Sequence, residues 1–361
     1  MTPPDGTMGP GAAPAPRWLA QRLAAQLLSA PPADDTLQVA ERLLAVQAQD
    51  PRGVRLAVRA RSRARSAAEV DRALTQDRSV VVTWLNRGTL HLVRTEDYWW
   101  LHPLTTPPLL TGNARRLAQE GVPPDDAERG VAVIERSLAA EGPLTRARLG
   151  ERIAAAGVRT QGQALVHVLA LASLRGITVR GPMIGREQAY VLVRDWLGKP
   201  PGDFDRDRAL ADLAARYLAG HGPATERDLA KWAGLPLGDA RRGLAAIAGR
   251  LADRDDGLAD LARRAGLAGA DPPPPRLLGA YEPVLLGWAS RESIVGPHGR
   301  LIAVNGLFRP FAMVRGRAVG TWSLPGGKVA LTPFTPLPEA DAAALAADAT
   351  DVECFLRAAD G

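Results

Sequence analysis

Hydrophobic residues recur every three to four positions through the first part of the chain, which is the spacing of an amphipathic helix. The polar positions between them delimit three predicted helices, at 17–29, 34–47 and 67–76. A further helix is predicted to begin at Pro51, because Asp50 offers a capping side chain and proline suits the first helical turn. The sequence therefore opens with a small helical unit.

β-branched and apolar residues then replace the helical pattern. The runs "SVVVTWL" (79–85) and "TLHLVR" (89–94) flank the short polar stretch "NRG". Two such runs around a glycine-containing turn predict a β-hairpin. Helices followed by a hairpin are typical of a winged helix, so we predict one over residues 17–105.

The same order of patterns recurs twice. Helical patterns at 143–157 and 160–176, with Thr145 and Thr160 as candidate caps, precede two strand-like runs within 177–193. Helical patterns return at 207–222, 224–234 and 236–251, although no clear hairpin follows them. The recurrence predicts a second winged helix within 106–200, which includes a linker, and a third at 201–270.

Beyond the stiff segment "DPPPPR" (271–276) the pattern changes to short alternating runs. These predict strands, and they are followed by a helical pattern over 339–359. The predicted strands are "IAVNGLF" (302–308), "PFAMVRG" (310–316), "RAVGTWSL" (317–324) and "GKVALTPF" (327–334). The predicted fold class is α+β, mainly α: tandem winged helices and a small, barrel-like β-rich domain at 271–361, after a disordered tail at 1–16.

Charge and composition narrow the function. The chain of 361 residues has a net charge of +6, and all but three of its 45 basic residues are arginine. A modest basic excess is compatible with a polyanion partner such as nucleic acid, although a GC-rich genome also favours arginine. Cys354 is the only cysteine and the five histidines are scattered, so we expect no disulfide, metal site or cofactor. No signal peptide or membrane span is expected, which predicts a cytoplasmic protein.

Arginines follow the predicted helix start at Pro51. On a helix, those at 52, 55, 59 and 63 fall within about 80° of one another and could track phosphates. A solvated helix face paired with acidic neighbours is the alternative. The candidate DNA-binding residues of this helix and of the two predicted hairpins are Arg52, Arg55, Arg59, Arg63, Arg87, His91, Arg180 and Arg186.

Two amides, Gln47 and Gln49, lie between the second predicted helix and the one that begins at Pro51. At such a junction side chains i and i+2 can point the same way, whereas within a helix they diverge by about 200°. A pair of glutamines at this spacing is a very weak motif by itself, and by spacing alone a polar surface is the better explanation. The surrounding blocks of sequence add to its significance.

Those blocks resemble the AlkZ-like winged-helix DNA glycosylases over nearly the whole chain from about residue 18. They are "LLAVQAQDPR", "WLNRGTLHLVRTEDYWWL", "TQGQALVHVLALASLRG", "HGPATERDLAKWAGLP", "PRLLGAYEPVLLGW" and "RAVGTW". The resemblance implies that Gln47 and Gln49 are the catalytic pair. One block departs from the family, whose Phe-Asp-Glu-Tyr-Leu-Leu-Gly stands here as "YEPVLLG", which leaves only Glu282 of the acidic pair.

The resemblance implies a glycosylase that removes N7-alkylguanine and N3-alkyladenine from double-stranded DNA, including bulky antibiotic adducts in a self-resistance role. No lysine precedes Lys199, so we expect a monofunctional enzyme that leaves an abasic site. The alternative is a non-catalytic winged-helix DNA-binding protein, such as a regulator. Three tandem units in one chain favour a monomer that clamps one duplex over half of a dimer.

Overall fold

The computed structural model describes residues 16–29, 31–185, 187–264, 272–298, 301 and 307–357. The chain is 54% helical and carries two small antiparallel sheets. This confirms a mixed fold in which helices predominate. The winged-helix assignment of each unit, the domain limits and the barrel-like shape of the last domain stay predictions, and the predicted tail at 1–15 lies outside the described residues.

The first helices follow the predicted order. They are α1 (Arg17–Ala25), α2 (Thr36–Leu43), α3 (Pro51–Arg59) and α4 (Ala67–Thr75). Asp35 caps α2 by accepting from the Gln38 amide, and Asp50 accepts from the Arg52 amide at the start of α3. The predicted helix start at Pro51 is therefore confirmed, because a side-chain acceptor satisfies an amide that has no partner within the helix.

A five-stranded antiparallel sheet joins the two predicted hairpins. Its strands are β1 (Val46–Gln47), β2 (Val80–Leu85), β3 (Thr89–Arg94), β4 (Thr178–Ile184) and β5 (Glu187–Leu192), in the order β1-β3-β2-β4-β5. Both hairpins form as predicted. They are not separate wings, however, because β2 pairs with β4 at Val82 and Arg180.

Six helices form the middle of the chain. They are α5 (Thr95–Thr105), α6 (Pro107–Gln119), α7 (Pro124–Glu141), α8 (Arg146–Ala155), α9 (Ala164–Leu174) and the short α10 (Val193–Trp196). Thr145 caps α8 as predicted. The cap predicted at Thr160 is wrong, because α9 begins only after Gln163.

The last third contains three helices of the predicted third unit, a second sheet and a terminal helix. The helices are α11 (Arg206–His221), α12 (Glu226–Ala233) and α13 (Leu237–Ala246), followed by α14 (Pro283–Leu286), α15 (Glu292–Val295) and α16 (Glu339–Arg357). The sheet consists of β6 (Arg276–Leu278), β7 (Phe311–Val314), β8 (Arg317–Ser323) and β9 (Ala330–Pro333), in sequence order. Most of the strand predicted at 302–308 lies outside the described residues.

A close backbone crossing brings the C-terminal region against the first unit. Gly53 lies within α3, and a Cβ atom there would collide with the carbonyl oxygen of Ala280. A Cβ atom on Gly279 would in turn lie 2.9 Å from the Cα of Gly53. Only glycine permits this approach, and it places the segment that follows Ala280 beside the Gln47–Gln49 junction.

In the described part of the chain, no helix combines the length and the apolar character that a transmembrane segment requires.

Candidate active site

The two glutamines meet through their side chains. Gln47 lies in β1 and pairs with His91 of β3, while Gln49 lies in the short link before α3. In extended backbone the side chains at i and i+2 point to one face. The Gln47 Nε2 group accordingly donates to Gln49 Oε1 at 2.6 Å. Gln47 is buried, with 7% exposed, whereas Gln49 is open to solvent.

Arg87 fixes the orientation of this amide pair. Its Nη2 group donates to Gln47 Oε1 at 3.3 Å, and its Nη1 group donates to the backbone carbonyl of Trp232. Because a guanidinium only donates, it requires the oxygen of Gln47 to face it, which turns the Gln47 amide nitrogen towards Gln49. The Gln49 amide nitrogen has no hydrogen-bond partner in the described part of the chain, so it can donate into the adjacent space.

The turn between β2 and β3 positions Arg87. Its backbone adopts a left-handed φ of 58°, which is uncommon for a residue other than glycine. A Cβ atom on Gly234 would lie 2.8 Å from the Arg87 amide nitrogen, so α12 can end against this turn only with a glycine there. Burial, and then the positive charge of Arg291, lower the pKa of Arg87 to about 10. Arg87 nevertheless remains cationic at neutral pH.

The amides and Arg87 line a cavity of about 380 Å³ between the first unit and the C-terminal region. Its lining residues are Gln47, Gln49, Arg87, Thr89, Lys231, Tyr281, Leu286, Trp288, Arg291 and Phe308. Three of them are cationic and none carries a carboxylate. The cavity therefore offers oriented amides, an aromatic wall and positive charge, which is a combination suited to a nucleotide.

Across the described residues, no group of three or more histidine, cysteine, aspartate or glutamate side chains is placed to hold an ion.

His91 is not presented to DNA. It is 2% exposed, and its Nδ1 atom lies 3.0 Å from the carbonyl oxygen of Thr89. Burial, and then the charge of Arg87, lower its pKa to about 3, so it is neutral at physiological pH. The structure places His91 beneath the amide pair, where it cannot contact phosphate without a rearrangement of the sheet.

The arginines that were expected to form one DNA-facing row are dispersed. Helix α3 ends at Arg59, so Arg63 lies beyond it. Arg55 pairs with Asp71 at 2.7 Å, and Arg59 pairs with the buried Asp348 of α16 at 2.7 Å. The alternative of acidic pairing therefore describes these two residues. Their guanidiniums connect α3 to α4 and α16 rather than forming a continuous phosphate-tracking face.

The other candidate cations differ in accessibility. Arg52 is exposed, and its guanidinium has no partner in the described ranges. Arg63 is 66% exposed and pairs with Asp34 at 3.0 Å. Arg180 stacks on Tyr190, with 3.9 Å from its guanidinium carbon to the ring centre. Arg186 lies outside the described residues.

Glu282 has a structural role. Its carboxylate is 1% exposed, receives a hydrogen bond from the equally buried Arg61 and faces the Val284 amide at 3.5 Å. Arg61 also donates to Gln26 Oε1 at 3.0 Å. This buried network holds the 281–287 segment against the first unit. Glu282 itself does not line the cavity of the amide pair.

Sequence reasoning missed most of the cavity. It did not single out Lys231, Tyr281, Trp288, Arg291 or Phe308 as site residues. They lie some 180 to 260 positions from the glutamines, in patterns that resemble ordinary helix and core segments. Two of the sequence blocks that carry the family resemblance contain three of these residues, Lys231 in the first and Tyr281 and Trp288 in the second, but neither block was assigned to the site.

Comparisons with known proteins agree on one family. A model of the AlkZ-like DNA glycosylases matches residues 40–355. An interstrand DNA cross-link repair glycosylase of Streptomyces sahachiroi is 28% identical over 356 residues, covering 88% of this chain and 89% of that protein. The solved structure of the DNA glycosylase AlkZ from Streptomyces sahachiroi is also similar. It has a TM-score of 0.76 and 26% identity, and the match covers 94% of this chain and 95% of that one.

Proposed function

Because the chain belongs to the AlkZ-like family of DNA glycosylases, we propose that it hydrolyses the N-glycosidic bond of cationic alkylated purines in double-stranded DNA. The observation that carries the proposal is the hydrogen-bonded chain from Arg87 through Gln47 to Gln49 on the wall of a cationic cavity. Gln47 and Gln49 are the proposed catalytic residues. A non-catalytic regulator would gain nothing from a buried Gln47 amide that is oriented towards Gln49 beside such a cavity.

The chemistry needs little acid catalysis. An N7-alkylguanine or N3-alkyladenine already carries positive charge, so cleavage of its glycosidic bond releases a neutral base. As the bond breaks, positive charge moves to the sugar. The oxygens of Gln47 and Gln49 each keep a second lone pair that can face this charge or orient a water molecule near C1′. An amide is a poor base, so the contribution is positioning and electrostatic stabilisation.

The product is an abasic site in an unbroken strand. The sequence predicts a monofunctional enzyme because no lysine precedes Lys199, but the fold brings Lys231 into the cavity. Its Nζ atom donates to the carbonyl oxygen of Ala289 at 3.3 Å. We propose that this contact directs the ammonium group to a binding role. Strand cleavage without alkali, or covalent trapping of Lys231 on DNA by borohydride, would contradict that assignment.

The name of the curated relative suggests the size of the lesion. That protein is described as an interstrand DNA cross-link repair glycosylase, and the cavity here is open to solvent on the side of Gln49. We propose that this chain accepts bulky N7-guanine adducts, including those of DNA-alkylating antibiotics, in a self-resistance role. The protein would act as a monomer without metal or cofactor.

A panel of single-lesion duplexes tests this proposal. Duplexes that carry one N7-methylguanine, one N3-methyladenine or one bulky N7-guanine adduct should yield alkali-labile sites. Matched duplexes with uracil, 8-oxoguanine or hypoxanthine should not, because two amides cannot protonate a neutral leaving base. Robust release of a neutral base would mean that a general acid operates elsewhere in the protein.

Substitution of the two amides tests their catalytic role. Gln47→Ala and Gln49→Ala should each lose most single-turnover excision while their affinity for DNA stays within a few-fold of the unaltered protein. This separation is expected because the amides act on the bond and not on phosphates. If either variant excises at the original rate, that residue is not catalytic.

A further inference from the structure

Aromatic side chains line the same cavity as the two amides. Tyr281 and Phe308 are half-buried, with their ring centres 5.9 Å apart and their planes inclined by 51°. The guanidinium carbon of Arg291 lies 5.1 Å from the ring centre of Phe308. The gap between the two rings is too narrow and too tilted for a third ring. A planar ligand in this cavity would therefore stack on the open face of Tyr281.

The backbone at Tyr281 is held in an unusual conformation. Its φ of 55° lies in the left-handed region, which a bulky aromatic residue seldom occupies. Such strain persists only where the surroundings enforce it, and it is concentrated at ligand-binding sites. Here the enforcing contacts are the crossing of Ala280 over Gly53 on one side and the buried Glu282–Arg61 pair on the other.

The Tyr281 hydroxyl group is available to a ligand. It has no hydrogen-bond partner in the described ranges of the chain. Burial, and then the negative charge of Asp50, raise the pKa of Tyr281 above its ordinary value. The group consequently stays protonated and can donate a hydrogen bond.

Two cationic side chains, Lys231 and Arg291, line the cavity beside these aromatic residues. Lys231 is exposed, and Arg291 is half-buried with its Nε atom 3.2 Å from the carbonyl oxygen of Leu285. Neither has an acidic partner in the described part of the chain. Unpaired cations beside an aromatic face match the needs of a nucleotide, whose base has a π-face and whose phosphate is anionic.

We propose that this wall is a nucleobase subsite: the target base leaves the duplex and stacks on Tyr281, while Lys231 and Arg291 bind the adjacent phosphates. The inference rests on the proposed function and deepens it, because it specifies that the damaged nucleotide is extruded. A cavity of about 380 Å³ lies within the usual range for small-ligand sites, so an extruded base fits. Extrusion would carry the base past Gln49, the exposed member of the amide pair.

Fluorescence of a neighbouring base tests the extrusion. The probe is a duplex with a cleavage-resistant 2′-fluoro analogue of N7-methylguanosine beside 2-aminopurine, whose emission rises when its neighbour leaves the stack. The unaltered protein should raise the emission, and Tyr281→Phe should keep most of the increase because it retains the stacking ring and loses only the hydroxyl hydrogen bond. Tyr281→Asn should lose at least tenfold in the emission change or in affinity for the probe.

The choice of asparagine guards against a folding artefact, because asparagine tolerates a left-handed backbone better than alanine does. Phe204→Ala is the matched control, since Phe204 is an aromatic residue with 43% exposure that does not line the cavity. This variant should behave as the unaltered protein does. Equal emission changes for Tyr281→Asn and the unaltered protein would overturn the inference.

Binding of the free base separates this inference from the proposed function. Saturation-transfer NMR with free 7-methylguanine should show contact that is lost in Tyr281→Asn and kept in Phe204→Ala. If the Gln47 and Gln49 variants lose excision while Tyr281→Asn still extrudes and binds the base, the subsite fails and the glycosylase proposal stands. If Tyr281-dependent binding is found but no cationic lesion is excised, the proposed reaction fails and the subsite stands.

Discussion

At the scale of single residues, the site depends on which group donates and which accepts in each hydrogen bond of the amide pair. A glutamine amide can be turned either way, and nothing in the sequence around Gln47 and Gln49 fixes the choice. Arg87 determines the orientation of the Gln47 amide. Because its guanidinium only donates, it binds the oxygen of Gln47 and thereby directs the Gln47 nitrogen to Gln49. We regard Arg87 as a positioning residue for the amide pair.

Arg87→Lys should therefore slow excision about tenfold to 100-fold, the scale associated with loss of one oriented hydrogen-bond donor. Lysine keeps the charge but cannot donate from two nitrogens to both Gln47 and the Trp232 carbonyl. The decrease should appear in the single-turnover rate at saturating enzyme, with DNA affinity nearly unchanged. Arg180→Lys, a charged residue of the same sheet that does not line the cavity, should excise normally. If Arg87→Lys excises at the rate of the unaltered protein, Arg87 is not a positioning residue for the amide pair.

Glu282 gives the second prediction at this scale. Glu282→Ala leaves the buried Arg61 guanidinium without its counter-charge, which costs about 3–5 kcal/mol of folding free energy when one partner of a buried pair is removed. Urea titration should show this loss. If Glu282→Ala folds with unchanged stability and yet loses excision, Glu282 acts in the chemistry and not in the scaffold.

At the scale of elements, α3 connects the site to the rest of the molecule. Its start places Gln49 and Asp50, its glycine admits the Ala280 backbone, and its arginines pair with α4 and α16. The sequence suggested a DNA-facing row of guanidiniums. In the structure, Arg55 and Arg59 instead bind neighbouring helices, whereas the side chain of Arg52 is exposed and has no partner among the described residues.

The two roles predict opposite phenotypes for two arginines of this one helix. Arg59→Ala should destabilise the fold by about 3 kcal/mol, the lower end for breaking a buried pair, because Arg276 still faces Asp348 at 3.0 Å. Its salt dependence of DNA binding should not change. Arg52→Ala should leave stability unchanged and lower the slope of log affinity against log salt by about one. The reverse pattern would restore Arg59 to the DNA-binding surface.

At the scale of the whole molecule, buried histidines make stability depend on pH. Burial lowers the pKa of both His91 and His221 to about 3, well below the ordinary value of 6.5. As pH falls below 6.5 the unfolded chain binds protons that the folded chain excludes. Stability from these groups is therefore complete above pH 6.5 and decreases progressively towards pH 3.

Each histidine contributes a slope of about 1.4 kcal/mol per pH unit below pH 6.5. The free energy of unfolding should fall by about 3 kcal/mol between pH 7.5 and 5.5, where ordinary carboxylates remain ionised. Burial also lowers the pKa of His102 and His167, which adds to the decrease. His221→Gln should reduce the decrease by about 1.4 kcal/mol whatever its effect on absolute stability, and urea titrations at the two pH values would measure it. A flat profile would show that both histidines are protonated in the folded state.

The sequence by itself determined the local elements and the catalytic candidates. Periodicity and caps predicted the start of α3 and the β2–β3 hairpin, because these depend on neighbours a few positions apart. The helix predicted over 34–47 forms only as Thr36–Leu43, because Val46–Gln47 pair with β3 instead. The i, i+2 spacing at a junction predicted that Gln47 and Gln49 would share a face, and their hydrogen bond confirms it. The family resemblance could also be recognised from the sequence, since it rests on several sequence motifs that occur in a fixed order.

Only the tertiary structure decided which charges are free and what faces the amides. Whether Arg59 meets phosphate or Asp348 depends on a helix nearly 300 positions away, and local sequence carries no information about that contact. Contacts between residues that are distant in sequence also explain three other features of the site. They join two hairpins into one sheet, bury His91 and bring Lys231 and Tyr281 to the cavity. Such long-range contacts are set by how the units pack. At the site, this packing includes the Gly53–Ala280 crossing and the buried Glu282–Arg61 pair, neither of which produces a periodic signal.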